Sequence, residues 1–219
     1  STPKPSSAAS DVYKRQDLGC GYGWHCRYAA EHGAKSVLGI DTSAKMLDEA
    51  AAKTTDQRIT YRRMDMQAID QLPDQFDIIL SSLAIHYIED YAQLVKKISD
   101  KLPVGGHFVM SVEHPIFTAQ GKEEWVTDDQ GHNLYWPVDR YFDESQRKTD
   151  FLGHQIKKYH RTLTTYLNTL LDHQLRLNRV IEPTPTDEMV KTIPGMADEL
   201  RRPMMLIVAT TKTAYTHEK

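Results

Sequence analysis

The residues best suited to chemistry are the run Asp17-Leu18-Gly19-Cys20-Gly21-Tyr22-Gly23 and the isolated Asp41. Three glycines at alternate positions before a helix let the backbone approach a ligand closely and turn N–H groups toward its polar end. Asp41 closes the short apolar run Val37-Leu38-Gly39-Ile40, a place where a carboxylate can accept both hydroxyls of a ribose. The pair points to a ligand containing a nucleoside. The same residues also suit a plainer arrangement, in which the glycines only make a tight turn and Asp41 caps the next helix. A dinucleotide is disfavoured, because the third glycine of G-x-G-x-x-G falls on Trp24, whose bulk obstructs a pyrophosphate. Asp17 repels phosphate oxygens but suits an ammonium group, so a cofactor with a cationic end is expected.

Three histidines fall where chain segments reach the carboxyl ends of strands: His86, His114 after Glu113, and His160. An imidazole titrating near neutrality can take the proton that an oxygen or nitrogen loses when it attacks a carbon electrophile. These three are the candidate catalytic residues. Each also has a structural role open to it: His86 packing under a ligand, His114 fixing the turn before Pro115, His160 bonding a backbone carbonyl. His25, His32, Cys20 and Cys26 straddle a helix face without a recognised ligand spacing, and no metal is expected.

The elements that must position these groups follow from periodicity. Trp24–His32 reads as a helix closed by Gly33, and Val37–Ile40 as a strand. Thr42-Ser43 can cap a helix over Ala44–Lys53. Strands are predicted at Ile59–Tyr61, Phe76–Leu80 and His107–Val112, with a helix over Tyr91–Leu102. This alternation predicts an α/β fold with a doubly wound, mostly parallel sheet. From about residue 114 to 160 it lapses into a segment holding Trp125, Tyr135, Trp136, Tyr141, Phe142 and Phe151, read as a lid insertion. Its aromatics can wall a pocket, with Arg140, Arg147 and Lys148 receiving an acid, or form a satellite core. Arg201 and Arg202 can reach an acceptor carboxylate but read more readily as a solvated strand end. After a helix at Leu163–His173, strands at Leu175–Ile181 and Met204–Thr210 need no crossover helix and can pair antiparallel at the sheet edge.

The chain has 219 residues, 40% apolar and 26% charged, with 27 Lys+Arg against 30 Asp+Glu and a formal charge of -3. No basic excess marks it for nucleic acid. With a mean hydropathy of -0.56 and no apolar run of the length that crosses a bilayer, no membrane association is expected. Its two cysteines suit a reducing cytoplasm. Residues 1–16 show neither strand alternation nor a helical stripe and are read as a disordered or non-native tail, with the domain running from 17 to 219.

The glycine run and three further segments, in this order, resemble the class I S-adenosylmethionine-dependent methyltransferases from Asp17 to about Lys212. The resemblance implies a Rossmann-like fold and S-adenosyl-L-methionine as cofactor. It implies that Asp17, Gly19, Cys20, Gly21 and Gly23 contact the methionine part and that Asp41, with Thr42 and Met46 beside it, holds the ribose. Asp65 and Met66 look like the adenine-contacting loop. Ser81 and Leu83, in the run Ser81-Ser82-Leu83-Ala84-Ile85-His86-Tyr87, look like the segment beside the sulfonium. Leu102-Pro103-Val104-Gly105-Gly106 is similar to the family's Leu-Lys-Pro-Gly-Gly turn. The implied activity is methyl transfer to a small-molecule acceptor. A noncatalytic nucleotide-binding or scaffold domain, and a methyltransferase acting on RNA or protein, are the alternatives. One departure stands out: Asp11, Lys14, Arg15 and Gln16 occupy the place of the family's apolar first strand, where polar side chains are costly to bury.

Overall fold

A computed structural model describes residues 13–151 and 154–214 of the chain. In its first half β1 (Lys14–Leu18), α1 (Trp24–Glu31), β2 (Ser36–Asp41), α2 (Ala44–Ala52), β3 (Ile59–Arg63), β4 (Ile78–Ser82), α3 (Tyr91–Asp100) and β5 (His107–Glu113) alternate. Next come α4 (Pro115–Thr118) and two hairpins, β6 (Val126–Thr127) with β7 (Asn133–Tyr135), and β8 (Gln146–Phe151) with β9 (His154–Tyr159). Helix α5 (Leu163–Asp172), β10 (Leu175–Ile181), α6 (Asp187–Thr192) and β11 (Met205–Lys212) follow.

Seven strands form one sheet in the order β10-β11-β5-β4-β1-β2-β3. The pairs from β5 to β3 are parallel, whereas β11 runs antiparallel to both β5 and β10, so the predicted antiparallel edge is present. Chain order reverses between β1 and β4, and a crevice opens at the carboxyl ends of strands at such a point. One sheet face is covered by α3 and α5, whose Tyr91, Leu94, Ile98, Tyr166 and Leu170 pack with Leu18, Ile79, Phe108 and Met110. On the other face α1 and α2 lay Cys26, Ala29, Ala30 and Leu47 over Val37. Among the described residues no helix is long and apolar enough to cross a membrane.

The expected tail needs correction. Residues 1–12 lie outside the described residues, but Lys14–Gln16 belong to β1 in the middle of the sheet. Backbone pairing explains this, because Lys14–Leu18 match Ser36–Ile40 on one side and Arg15–Asp17 match Ile78–Leu80 on the other. Ladder hydrogen bonds are indifferent to side-chain type, and the cost falls on the side chains instead. Gln16 is 1% exposed, and neither its amide nitrogen nor its amide oxygen has a partner. Replacing it with leucine, of similar volume, is therefore expected to stabilise the fold by about 1–3 kcal/mol, the cost of an unpaired buried polar group. Urea unfolding of Gln16→Leu checks this, and a midpoint at or below wild type would contradict it.

The segment from about residue 114 to 160, read above as a lid, is more regular than its composition suggests, since it holds the two hairpins. Trp125, Trp136 and Phe117 stack into a small aromatic box, and the Arg202 guanidinium lies 4.1 Å from the Trp136 ring centre and 4.7 Å from that of Phe117. Arg202 is thus a buried part of a satellite core, paired with Glu199, and not a solvated strand end. Arg147 is likewise buried and donates to the carbonyls of Ala119, Arg140 and Asp143, so it is not available to an acid. Phe142 stands out in solvent. Phe151 supplies backbone to β8, and its side chain lies outside the description.

Candidate functional site

The loop between β1 and α1 is built for close approach. Gly19, Gly21 and Gly23 all have φ between 51° and 73°, the left-handed region that glycine enters without penalty. At Gly19 a Cβ would stand 2.5 Å from the Ala84 Cβ, and at Gly23, the N-cap of α1, it would strike the Tyr61 hydroxyl. Asp41, at the tip of β2, ties this loop down. Its Oδ2 accepts the Gly21 N–H at 2.9 Å and its Oδ1 the Ser43 N–H at 2.8 Å. A carboxylate has about four lone-pair sites, so the partly exposed Asp41 can serve as this clasp and still accept a diol. The cap of α2 is Ser43, whose hydroxyl accepts the Met46 N–H at 3.3 Å, so Asp41 clasps the loop and does not cap the helix.

Beside it lies a cavity of about 340 Å³ lined by Gly19, Asp41, Thr42, Met64, Asp65, Met66, Leu83, Ala84, Tyr87 and Ile88. Six predicted cofactor residues therefore share one space: Gly19, Asp41, Thr42, Asp65, Met66 and Leu83. Asp65 caps the turn Met66–Gln71 through the Gln67 N–H at 2.9 Å, and Met64 and Met66 flank it with polarisable apolar surface that suits a purine face. Leu83 has φ 51°, a strained value for a branched side chain. Ser111 holds it there, since the Leu83 N–H reaches the Ser111 carbonyl at 2.9 Å and its hydroxyl at 3.2 Å.

The other predicted cofactor residues lie outside this lining. Gly21 and Gly23 shape the loop. The Cys20 thiol is buried in the small cluster under α1 with Cys26. Ser81 donates to the Leu18 carbonyl at 3.0 Å, bracing the loop from beneath, and Met46 projects from α2 into solvent. Asp17 is 3% exposed and faces α1, where its Oδ2 accepts from the Cys26 thiol at 3.5 Å. Burial, with a contribution from the Asp41 charge, pushes its carboxyl up to about 7. Because the folded value exceeds the unfolded one, Asp17 imposes no penalty below about pH 4, an increasing one up to about pH 7, and the full one above. Asp17→Asn is expected to raise stability at about pH 8 and to change it little at about pH 4, as read by urea melts across that range. An equal change at both ends would contradict this assignment.

The three histidines do not converge. His160 donates from Nε2 to the Tyr141 carbonyl at 2.9 Å, so its Nδ1 accepts from the Thr118 hydroxyl at 2.7 Å, a fixed and fully used neutral ring. His114 accepts the Ile116 N–H on Nδ1 at 3.1 Å and meets Glu182 through Nε2 at 2.8 Å, which joins α4 to the end of β10. His86 is 2% exposed with neither ring nitrogen partnered, and burial, then Lys158 and Arg161, lower it to about 3. It remains neutral at physiological pH and is no base for neutral solution. None of the three lines the cavity.

Sequence reasoning also missed groups. Tyr87, Ala84 and Ile88 wall the cavity because a single turn at Ile85–Tyr87 folds that segment back. Next to it, Lys158 of β9 donates to Glu113 at 2.6 Å and to both oxygens of Glu123, at 3.0 and 3.2 Å. A larger cavity of about 690 Å³, with Trp125, Met189, Met196, Met204 and Met205 in its wall, opens at the start of β11, and no residue of the glycine loop lines it.

Comparison with known proteins bears on this site. The Methyltransferase domain family matches residues 16–110. A crystal structure from Listeria monocytogenes, assigned to the S-adenosylmethionine-dependent methyltransferases, is 51% identical, with 93% of this chain and 91% of that one covered and a TM-score of 0.88. An S-adenosylmethionine-dependent methyltransferase from Mesorhizobium loti is 46% identical over 91% of each chain, with a TM-score of 0.82. Trans-aconitate 2-methyltransferase of Deinococcus radiodurans is 30% identical over 49% of this chain, which spans 43% of that enzyme's length.

Proposed function

The chain belongs to the class I S-adenosylmethionine-dependent methyltransferases, and on that premise we propose that it methylates a small-molecule acceptor in the cytoplasm. The observation that carries the cofactor half of this reading is the junction of glycine loop and Asp41 at the rim of a cavity that also holds Asp65 and Leu83. These groups fit S-adenosylmethionine: Asp41 takes the ribose hydroxyls, Asp65 the exocyclic amine of adenine, and Gly19, packed too closely on Ala84 to carry a Cβ, puts bare backbone in the cavity wall. When bound, the cofactor supplies a methyl carbon already made electrophilic by a sulfonium. The protein's share is alignment and exclusion of water. Leu83 and Tyr87 border the cavity toward β5, where the methyl group is expected to emerge.

The acceptor half is supported by enclosure. Two lid hairpins and the apolar cavity at the start of β11 offer a concave surface of the size that small molecules fill, and the chain carries no basic excess that would favour a polyanion. Calorimetry with S-adenosylhomocysteine, followed by incubation of labelled cofactor with a metabolite panel, tests both halves. Binding together with a methylated small molecule is the expected result. Binding without any product across the panel favours a noncatalytic domain, and label transferred only to RNA or protein overturns the acceptor class.

A further inference from the structure

We infer that Glu113, Glu123 and Lys158, with His86 beside them, form an acceptor pocket that recognises a protonated amine and receives its proton. The inference rests on the cofactor reading above. Strand β5 neighbours β4, with Ser111 opposite Ser82, and Glu113 lies two residues further along β5. The cluster therefore stands one strand away from Leu83. The turn Ile85–Tyr87, whose Tyr87 lines the cavity, packs against both β5, which carries Glu113, and β9, which carries Lys158.

The chemistry of the cluster is incomplete as it stands. Two carboxylates face one ammonium, and side-chain exposure is 3% at Lys158, 18% at Glu113 and 10% at Glu123. Lys158 uses Oε1 of Glu113 and both oxygens of Glu123, while the buried Oε2 of Glu113 meets no N–H donor and the two carboxyls hydrogen-bond each other through a shared proton. Burial, then the charge on Glu113, pushes the Glu123 carboxyl up to about 7, as expected where two acids compete for one cation. On the adjoining turn His86, 2% exposed, keeps both ring nitrogens unpartnered, and its neutral ring can accept a hydrogen bond from an N–H. Arg161, the other cation acting on His86, donates to the carbonyls of Ile88 and Glu89 and has the Glu144 carboxylate in its field, so it does not complete the cluster. A second positive charge with N–H donors would take the place of the proton that Glu113 and Glu123 share and would offer the His86 ring a donor.

An amine brings both features. Bound as an ammonium, it gives one proton to Glu113 Oε2, which becomes a neutral carboxylic acid. The lone pair thus freed forms the new bond to the methyl carbon while the methyl–sulfur bond breaks and leaves its electron pair on sulfur. The product is a methylated ammonium and a neutral thioether.

Sinefungin, which carries a protonated amine where the cofactor has its methyl-bearing sulfonium, probes this ground without knowledge of the acceptor. Titration calorimetry of the wild-type protein is expected to give sinefungin roughly tenfold tighter binding than S-adenosylhomocysteine, the effect of about 1.4 kcal/mol of attraction. Glu113→Gln and Glu123→Gln should each erode that preference several-fold and leave S-adenosylhomocysteine affinity unchanged. Equal affinities for the two ligands in the wild-type protein overturn the inference whether or not the variants fold, as does a preference that survives both substitutions. If S-adenosylhomocysteine itself fails to bind wild type, the cofactor reading is what has failed.

Discussion

Asp41→Ala is expected to weaken S-adenosylhomocysteine binding at least a hundredfold while the protein stays folded. Two kinds of bond are lost at once. The carboxylate no longer accepts the ribose hydroxyls, and the Gly21 and Ser43 N–H groups that it holds at 2.9 and 2.8 Å lose their partner. Hydrogen bonds to a charged group contribute about 1.5–3 kcal/mol each, so two lost to the ligand already amount to roughly a hundredfold. Relaxation of the glycine loop adds to this. Asp41→Asn keeps an oxygen for one backbone donor and should fall between. Glu113→Ala, remote from the ribose, should leave this affinity intact. Calorimetry decides it, and an Asp41→Ala protein that binds within threefold of wild type would sink the assignment.

Gly19→Ala is expected to damage both stability and cofactor binding. Its Cβ would stand 2.5 Å from the Ala84 Cβ and 3.2 Å from the Met66 Cε, and the residue would keep a φ of 73°. Ala84 has no rotamer with which to yield, so the backbone of the cavity wall must move. Overpacking of this kind costs about 1–3 kcal/mol, and the left-handed conformation adds about 1–2 kcal/mol. Cofactor affinity should drop more than tenfold because the shift narrows the cavity itself. Gly21→Ala separates the two effects, since a Cβ there meets nothing within 4 Å and only the conformational cost applies. Thermal melts and ligand titrations of both variants check this. Equal losses from the two would mean that backbone conformation, not crowding against Ala84, governs the loop.

These expectations grew from a part of the chain whose chemistry is local in sequence. A glycine run feeding a helix and an acid at the next strand tip are each written in a few consecutive residues, and the parallel sheet fixes their distance. Asp65 and Leu83 came from the family resemblance, and the fold brings both to the cavity beside Asp41. The histidines were legible as positions but not as chemistry. Whether an imidazole faces a cleft or a carbonyl depends on partners such as Thr118 and Tyr141 for His160, and only packing supplies these. Lys158 and Glu113 are 45 residues apart, on strands of two different sheets, and no short-range pattern marks their meeting. The failure at β1 has another origin. Hydrophobic patterning argued against a strand at Lys14–Gln16, yet β2 and β4 flank that position and leave their backbone groups to be paired. Tertiary pairing outweighed side-chain preference, and the unpartnered Gln16 amide records the conflict.

The reversed direction of β11 also decides how the molecule can be handled. Met205 starts beside Glu113 at the carboxyl end of β5, whereas Thr211 lies opposite His107 and the Thr213 N–H is fastened to the Gln174 carbonyl. The chain thus leaves the sheet at the end opposite the cofactor cleft. A linker or surface anchor joined there would present the open cleft outward to solution, free for ligands to enter and for products to depart.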